Sequence, residues 1–204
     1  MKKEKLKIAI QKKGRLSEAS LNFLNSLGLT FIPNGRSLIQ KCKDQDIDLI
    51  LLREDDIPEY VGRGIVDFGI IGKNTFFEEK VSMNIMRELN FAKCVISIAV
   101  PEHSVIKTSR DLEGERIATT YPVILKNYLK ENQINAAIIP IAGSAEIAPE
   151  LNLADAICDV VQTGNTLRAH NLKPLIKIMD LNAILIGNDV VKKGKEELKK
   201  ILMK

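Results

Sequence analysis

The richest chemistry in the chain lies in Asp155-Ala-Ile-Cys-Asp159-Val-Val-Gln-Thr163-Gly164-Asn165-Thr166-Leu167. A buried apolar strand runs into a turn of Thr, Gly, Asn and Thr, and helical spacing begins there. Such a turn offers backbone N–H groups, two hydroxyls and the positive end of a helix dipole, which together suit a phosphate. Gly164 allows close backbone approach. Asp159 stands near the carboxyl end of the strand, where open α/β sheets bind ligands, and a carboxylate there can take hydrogen bonds from ribose hydroxyls. Asp155 shares its parity but lies about 13 Å away at ~3.3 Å per residue, which assigns it to the other end of the strand and to structure. The alternative reading of the turn is N-capping by Thr163 or Asn165.

Three further segments carry charge or turn chemistry. Lys12-Lys13-Gly14-Arg15-Leu16 follows the first apolar run, and cations at a strand–helix turn suit a polyphosphate; taken alone, the segment reads first as a solvated basic turn. In Arg53-Glu-Asp-Asp-Ile57-Pro58 a strand delivers Arg53 to its carboxyl end, to hold a phosphate or to pair with Glu54 or Asp55. Downstream, Gly69 and Gly72 answer either to a ligand or to packing. Gly143-Ser144-Ala145-Glu146 is another anion-friendly turn in which Glu146 can accept a proton from a hydroxyl or base. Its alternative is a helix start capped by Ser144. No Ser/His/Asp or Cys/His nucleophile set and no Walker A motif occurs. Phosphate-type turns without a nucleophile point to direct group transfer between phosphorylated substrates.

The elements that must position these residues follow from periodicity. Strands are predicted at Leu6–Ile10, Asp48–Leu52, Asp67–Ile71, Cys94–Val100, Arg116–Thr119, Ala137–Ile141 and Asp155–Val161. Pro140 puts the sixth of these at a sheet edge. Leu175–Met179 and Ala183–Ile186 read as a pair of strands around Asp180-Leu-Asn182. Helices are predicted at Leu16–Leu27, Asp55–Arg63, Pro122–Glu131, Thr166–Asn171 and, as a basic terminal helix, Lys192–Lys204. The alternation predicts an α/β fold with mostly parallel sheets.

Composition sets the class. Of 204 residues, 45% are hydrophobic and 27% charged, which is a globular profile. The net charge of +4 suits an anionic small molecule and falls short of a nucleic-acid signature, and 4% aromatics without Trp exclude stacking platforms. Cys42, Cys94 and Cys158 form no CxxC pair and read as structural thiols of a reducing compartment. His103 and His170 are too far apart in sequence to suggest a His-based metal site. No apolar run reaches the ~18 residues of a membrane span. The apolar core of the first segment, about five residues, is shorter than the seven or more of a secretory signal. The expectation is a cytoplasmic protein with no membrane or nucleic-acid partner.

In order, IAIQKKGRL, RxxDIPxYVxxGxxDFGIIGK, LNFAKCxISIAVP, LEGERIATTYP, GSAEIAP and LADAICDVVQTGNTLR resemble the catalytic subunit of the ATP phosphoribosyltransferase family, over nearly the whole chain. The chain departs from the family pattern at Gln11-Lys12, Asn74, Ala92, Thr120 and His170, while the phosphate turn is intact. The resemblance implies two small α/β lobes around a cleft, like type II periplasmic binding proteins. Lobe I would be residues 1–90 plus 172–204, and lobe II residues 91–171. It implies phosphoribosyl transfer from phosphoribosyl pyrophosphate to N1 of ATP, the first step of histidine biosynthesis. Thr163, Gly164, Asn165 and Thr166 would hold the 5′-phosphate and Asp159 the ribose hydroxyls. Arg53 and Arg36 would offset the leaving pyrophosphate. Lys13, Gly14 and Arg15 would serve the nucleotide phosphates, and Tyr121 and Glu146 the rest of ATP. Mg²⁺ would be held mainly by substrate oxygens and waters rather than by protein ligands. The length resembles the short form of the family, which works with a regulatory subunit similar to histidyl-tRNA synthetase, as a homodimer within a hetero-octamer. The rival reading is a non-enzymatic binding protein of the same two-lobe fold.

Overall fold

The computed structural model describes residues 5–79, 81–188 and 196–203. The chain divides into two compact units, one of residues 1–92 and 182–204, the other of residues 93–181. The expected division placed 172–181 with the first unit. That segment instead pairs along its length with the strand 94–101 of the second.

In unit 1 the elements are β1 (Leu6–Gln11), α1 (Arg15–Ser26), β2 (Phe31–Ile32), β3 (Ile39–Cys42), β4 (Ile47–Leu52), α2 (Ile57–Gly62), β5 (Phe68–Gly72), α3 (Lys73–Glu78), β6 (Asn84–Glu88), β12 (Ala183–Gly187) and α6 (Glu196–Leu202). The sheet runs β2-β3-β4-β1-β5-β12-β6. β1 is central and parallel to both neighbours, and its side chains divide between two cores. Leu6, Ile8 and Ile10 join Leu24 of α1 on one face, and Ala9 joins Ile57 and Val61 of α2 on the other. Burial on both faces explains the unbroken apolar run Ile8-Ala9-Ile10 at its centre. Gly69 is a packing glycine: a Cβ there would lie 2.5 Å from Ile57 Cγ2 and 3.2 Å from Ile186 Cγ1. Gly72 is likewise closed in, by Asn74 and Glu54.

Unit 2 contains β7 (Cys94–Pro101), β8 (Arg116–Thr119), α4 (Pro122–Glu131), β9 (Ala137–Pro140), β10 (Ala156–Val161), α5 (Asn165–Ala169) and β11 (Leu172–Leu181), in the sheet order β11-β7-β10-β8-β9. Pro140 is on the edge strand, as its missing N–H requires. Ile96, Ile98 and Val100 pack with α4, while Ala99, Ala118 and Ile157 pack with Leu167 of α5. The alanines on that second face leave room for α5 and the 3-10 turn at 145–147. Cys42 and Cys158 are buried and Cys94 half-buried, and none of the three is in a disulfide.

Two expectations are corrected. The sheets are mixed rather than mostly parallel, with four parallel pairings among ten. The returning strands β11 and β12 run antiparallel to their neighbours. Nor do Leu175–Met179 and Ala183–Ile186 pair with one another. They belong to β11 and β12, in different sheets, with Asn182 between them. The Asn182 amide donates to the Leu89 and Ala183 carbonyls, both at 3.1 Å, fixing this point of transfer on the unit 1 side. The basic terminal helix is described over Glu196–Leu202; residues 192–195 and 204 of the expected span lie outside the described residues.

Asp155 stands just before β10, at the end away from the Thr163 turn. Its carboxylate accepts from Arg116 Nη2 at 2.8 Å, Nε at 2.9 Å and the Arg116 backbone N–H at 2.9 Å. The guanidinium bonds hold its pKa below the ordinary 3.8, at about 2. A depressed carboxylate stabilises the fold above its unfolded pKa, and this contribution is lost as pH falls through the folded value. Asp155→Asn is therefore expected to lower Tm at neutral pH. Its Tm difference from the parent chain should close between about pH 4 and pH 2 in thermal melts. A difference that is constant across that range would rule out the ion pair as its source.

Candidate functional site

Unit 2 gathers its polar groups at one edge. β8, β9 and β10 are parallel, and Thr119 is level with Pro140 on one side and Cys158 on the other. The residues that follow, Thr120-Tyr121, the 141–146 loop and Asp159 to Thr166, therefore emerge side by side. Thr119 is fully buried and fixes this edge. Its hydroxyl donates to the Cys158 carbonyl at 2.8 Å and accepts from the Tyr121 N–H at 2.9 Å. Tyr121 ends in the position before α4, half-buried against the Ile96 core.

Asp159 is half-buried and takes the Val160 N–H at 2.7 Å. Burial pushes its carboxyl above the ordinary range, and the charge of Glu146 adds to this. Hydrogen bonds from the Val160 N–H and the Thr120 hydroxyl pull the other way. Two of the expected site residues, Asp159 and Glu146, are thus close enough to feel each other's charge. Such a pair is held in readiness for a partner that supplies hydroxyls or positive charge.

Beyond Asp159 the chain turns at Thr163. Gly164 has φ +72°, in the left-handed region, and sits at the N-cap of α5 with no side-chain cap to the helix. Neither Thr163 nor Asn165 caps it, so the capping alternative fails and the first-turn N–H groups are left for a ligand or water. Thr163 and Asn165 and Thr166 are exposed or nearly so. Sequence reasoning left Arg168 out of the site. Its Nη2 reaches the Thr163 carbonyl at 3.3 Å and the Asn165 Oδ1. Its position four residues after Gly164, one helical turn on, is the signal that could have found it. A cavity of about 500 Å³ opens beside this turn, with Lys93, Val95, Thr163, Gly164, Leu167 and Arg168 in its wall.

Ser144 also lies in the left-handed region, at φ +53°, a costly conformation for a residue with a Cβ. It does not cap the turn that follows, so here too the capping alternative fails. The strained loop places Glu146 near Asp159.

Unit 1 has its own basic edge. Gln11 is level with Leu52, so Lys12 and Arg53 leave adjacent parallel strands together. Leu38 accepts from the Leu51 N–H at 2.8 Å, which brings the 33–37 turn carrying Arg36 to the same edge. Lys13, Gly14, Arg15, Arg36 and Arg53 are all exposed there. Gly14 has φ +97°, a conformation that makes glycine the natural residue before α1. Glu54 is occupied elsewhere: its Oε1 accepts from the Gly72 N–H at 2.8 Å and the Thr75 hydroxyl at 2.9 Å. Among the described residues neither Glu54 nor Asp55 forms an ion pair with Arg53. A structural role for Glu54, tying the turn after β4 to the start of α3, was not visible in sequence.

Comparison with known proteins bears on the chemistry. The model of the ATP phosphoribosyltransferase (HisG) family matches residues 53–204. The chain is 40% identical over 188 residues to an ATP phosphoribosyltransferase of Maricaulis maris, covering 89% of this chain and 64% of that one. It is 44% identical over 180 residues to one of Cytophaga hutchinsonii, covering 88% and 63%. The chain thus spans somewhat under two thirds of the length of these relatives. Among solved structures it resembles a chain of the ATP phosphoribosyl transferase (HisG:HisZ) complex of Thermotoga maritima. There the TM-score is 0.80 and the identity 30%, over 97% of this chain and 93% of that one. The periplasmic aliphatic sulphonate binding protein SsuA of Escherichia coli shares the fold, with a TM-score of 0.64 at 13% identity, over 97% and 69%.

The environment of Asp159 carries a stability signature opposite to that of Asp155. A raised folded-state pKa favours folding below the unfolded pKa, and that contribution is lost as pH rises through the folded value, so the ionised carboxylate is a liability at neutral pH. Asp159→Asn is expected to leave the ligand-free Tm at pH 7 unchanged or higher, as measured by differential scanning fluorimetry. A drop as large as that of Asp155→Asn would move Asp159 from the site to the scaffold.

Proposed function

The chain belongs to the ATP phosphoribosyltransferase family, and on that premise we propose that it transfers phosphoribosyl from phosphoribosyl pyrophosphate to N1 of ATP, releasing pyrophosphate, as the first step of histidine biosynthesis. The observation that carries this reading beyond the family match is the Thr163–Thr166 turn. It is uncapped, left-handed at Gly164 and braced by a guanidinium, beside a half-buried carboxylate at Asp159.

The reacting nitrogen belongs to ATP, so no protein nucleophile is required. N1 attacks the anomeric carbon as the bond to pyrophosphate breaks and its electron pair leaves with the pyrophosphate. Positive charge builds on the ribose and negative charge on the leaving group. Catalysis is then orientation plus preorganised electrostatics. In unit 2 the Thr163–Thr166 turn holds the 5′-phosphate and Asp159 accepts the ribose hydroxyls, which restores to its desolvated carboxylate the partners that burial removed. Its negative charge also faces the developing cation. Tyr121 and Glu146 serve the adenine and ribose of ATP. In unit 1 Lys13, Gly14 and Arg15 serve the nucleotide phosphates, and Arg36 and Arg53 offset the leaving pyrophosphate.

No group of three or more His, Cys, Asp and Glu that could hold a metal occurs among the described residues. Mg²⁺ would be held mainly by substrate oxygens and waters, with the half-buried Asp159 and the nearby Glu146 engaged with substrate hydroxyls rather than with the ion. When bound, that ion supplies charge neutralisation at the pyrophosphate. The Thermotoga maritima chain belongs to a two-component complex. We extend this to the present chain as a catalytic subunit working in the cytoplasm with a regulatory subunit resembling histidyl-tRNA synthetase, built as a homodimer within a hetero-octamer.

Pyrophosphate release from phosphoribosyl pyrophosphate and ATP, assayed with that subunit present, tests the reaction, and its absence would reject the reading. Asp159→Asn is expected to lower turnover roughly ten- to a hundredfold, for ~1.5–3 kcal/mol of lost hydrogen bonding to a charged acceptor. Gly164→Val forces a β-branched residue to φ +72° and sets its Cβ about 3.3 Å from the Arg168 guanidinium. It should weaken phosphoribosyl pyrophosphate binding while the circular dichroism spectrum stays native. Calorimetric titration of histidine should give saturable binding to the complex and none to the catalytic chain alone. Tight binding to the isolated chain would place regulation within it.

A further inference from the structure

We infer that Arg168 is the positioning residue of the phosphate turn, a clamp that sets the shape of the Thr163–Thr166 backbone before the sugar phosphate arrives. The inference rests on the phosphoribosyl-transfer reading and assigns within it a role to a residue that the sequence had placed only at the end of the motif, outside the site.

Four observations converge on it. First, the Arg168 guanidinium does not point away from the turn. It folds back over the first turn of its own short helix, with Nη2 on the Thr163 carbonyl at 3.3 Å and on the Asn165 side-chain oxygen. Second, its backbone N–H donates to the Gly164 carbonyl at 3.1 Å, so the same residue closes the turn from both its main chain and its side chain. Third, the space it uses is created by the absence of a side chain at 164, since a Cβ there would meet Nη1 at 3.3 Å. Fourth, among the described residues no carboxylate forms an ion pair with Arg168, although it is exposed. Its charge is aimed at the carbonyl of Thr163, which lines the 500 Å³ cavity, and at the amide oxygen of Asn165, and is not neutralised by an acid.

The geometry asks for arginine in particular. One nitrogen bridges two acceptors on either side of Gly164, and the planar fork holds that bridge without rotating. Drawing the Thr163 carbonyl toward the guanidinium turns this acceptor away from an incoming anion. Holding Asn165 through its side chain keeps that side chain from capping the helix, leaving the first-turn N–H groups available. A lysine would keep the charge but present a single rotating ammonium, and would hold the two acceptors less rigidly.

The test uses the full chain with its regulatory subunit and steady-state kinetics on Arg168→Ala and Arg168→Lys, together with calorimetric titration of ribose 5-phosphate. For Arg168→Ala the expected result is a KM for phosphoribosyl pyrophosphate raised about tenfold or more, the equivalent of losing hydrogen bonds to a charged donor. The KM for ATP and the kcat at saturation should be little changed, and ribose 5-phosphate affinity should fall in parallel. Added guanidinium at low millimolar concentration should partly restore the KM of the Ala variant, which a merely structural role would not allow. Arg168→Lys should recover only a minor part. An unchanged KM in Arg168→Ala, or full recovery in Arg168→Lys, overturns the clamp. Failure of the parent chain itself to bind ribose 5-phosphate or to release pyrophosphate is a different outcome, rejecting the functional reading on which the clamp depends.

Discussion

The buried hydroxyl of Thr119 is the interaction on which the candidate site of unit 2 depends. It donates to the Cys158 carbonyl and accepts from the Tyr121 N–H, so a single oxygen ties two parallel strands together where both leave the sheet. One residue beyond this tie stand Thr120 and Asp159, which share a hydrogen bond. Buried polar groups are costly unless satisfied, and this one is satisfied on both sides, so the level of the two strands cannot slip without orphaning it. The spacing between the Asp159 carboxylate and the residues of the neighbouring loops follows from that level. At the far end of the same strand pair the Arg116–Asp155 ion pair does similar work in a solvated setting. The two aspartates of one strand thus divide between anchoring and chemistry.

Unit 1 solves the same problem with a carboxylate. Glu54 accepts from the Gly72 N–H and the Thr75 hydroxyl, joining the turn after β4 to the start of α3 across the intervening strands. Asp67 makes a comparable tie at the opposite end, accepting from the Lys7 N–H while its own N–H meets the Lys7 carbonyl. Lys13, Arg36 and Arg53 stand exposed at the end where Glu54 makes its tie, and cations gathered at one edge favour an anion there.

The sequence was most legible where one residue type has one physical consequence. Pro140 announced an edge strand, and the four-residue spacing of Asp155 and Asp159 along one strand separated an anchoring end from a ligand end. The continuous apolar run Asp48–Leu52 marked a strand covered on both faces, and in β4 Leu49 and Leu51 join one core while Ile50 and Leu52 pack against the other. What could not be read depends on distant partners. β3 (IQKC) and β6 (NIMRE) are short, polar and peripheral, and their strand character comes from pairing rather than from pattern. The antiparallel return of β11 and β12 was missed because adjacent strands usually pair, whereas here Asn182 carries the chain from one sheet to the other. The role of Arg168 depends on the left-handed conformation of Gly164, and no pattern of residue types specifies where a flexible side chain will fold back.

The transfer at Asn182 has a consequence for how the chain is made. β12 pairs with β5 through Ile184 and Ile71, residues more than a hundred positions apart, and β6 completes the sheet only by pairing with β12. Unit 2 is written between them, and the start of its first strand meets the end of its last within its own sheet, Cys94 opposite Leu181. During synthesis at roughly 5–20 residues per second, the edge of β5 is therefore left open for several seconds while the whole of the second unit emerges. The inserted unit has all its strands before its host has its last one. Vectorial synthesis thus lets the younger part of the chain close first, while its host waits for a final strand.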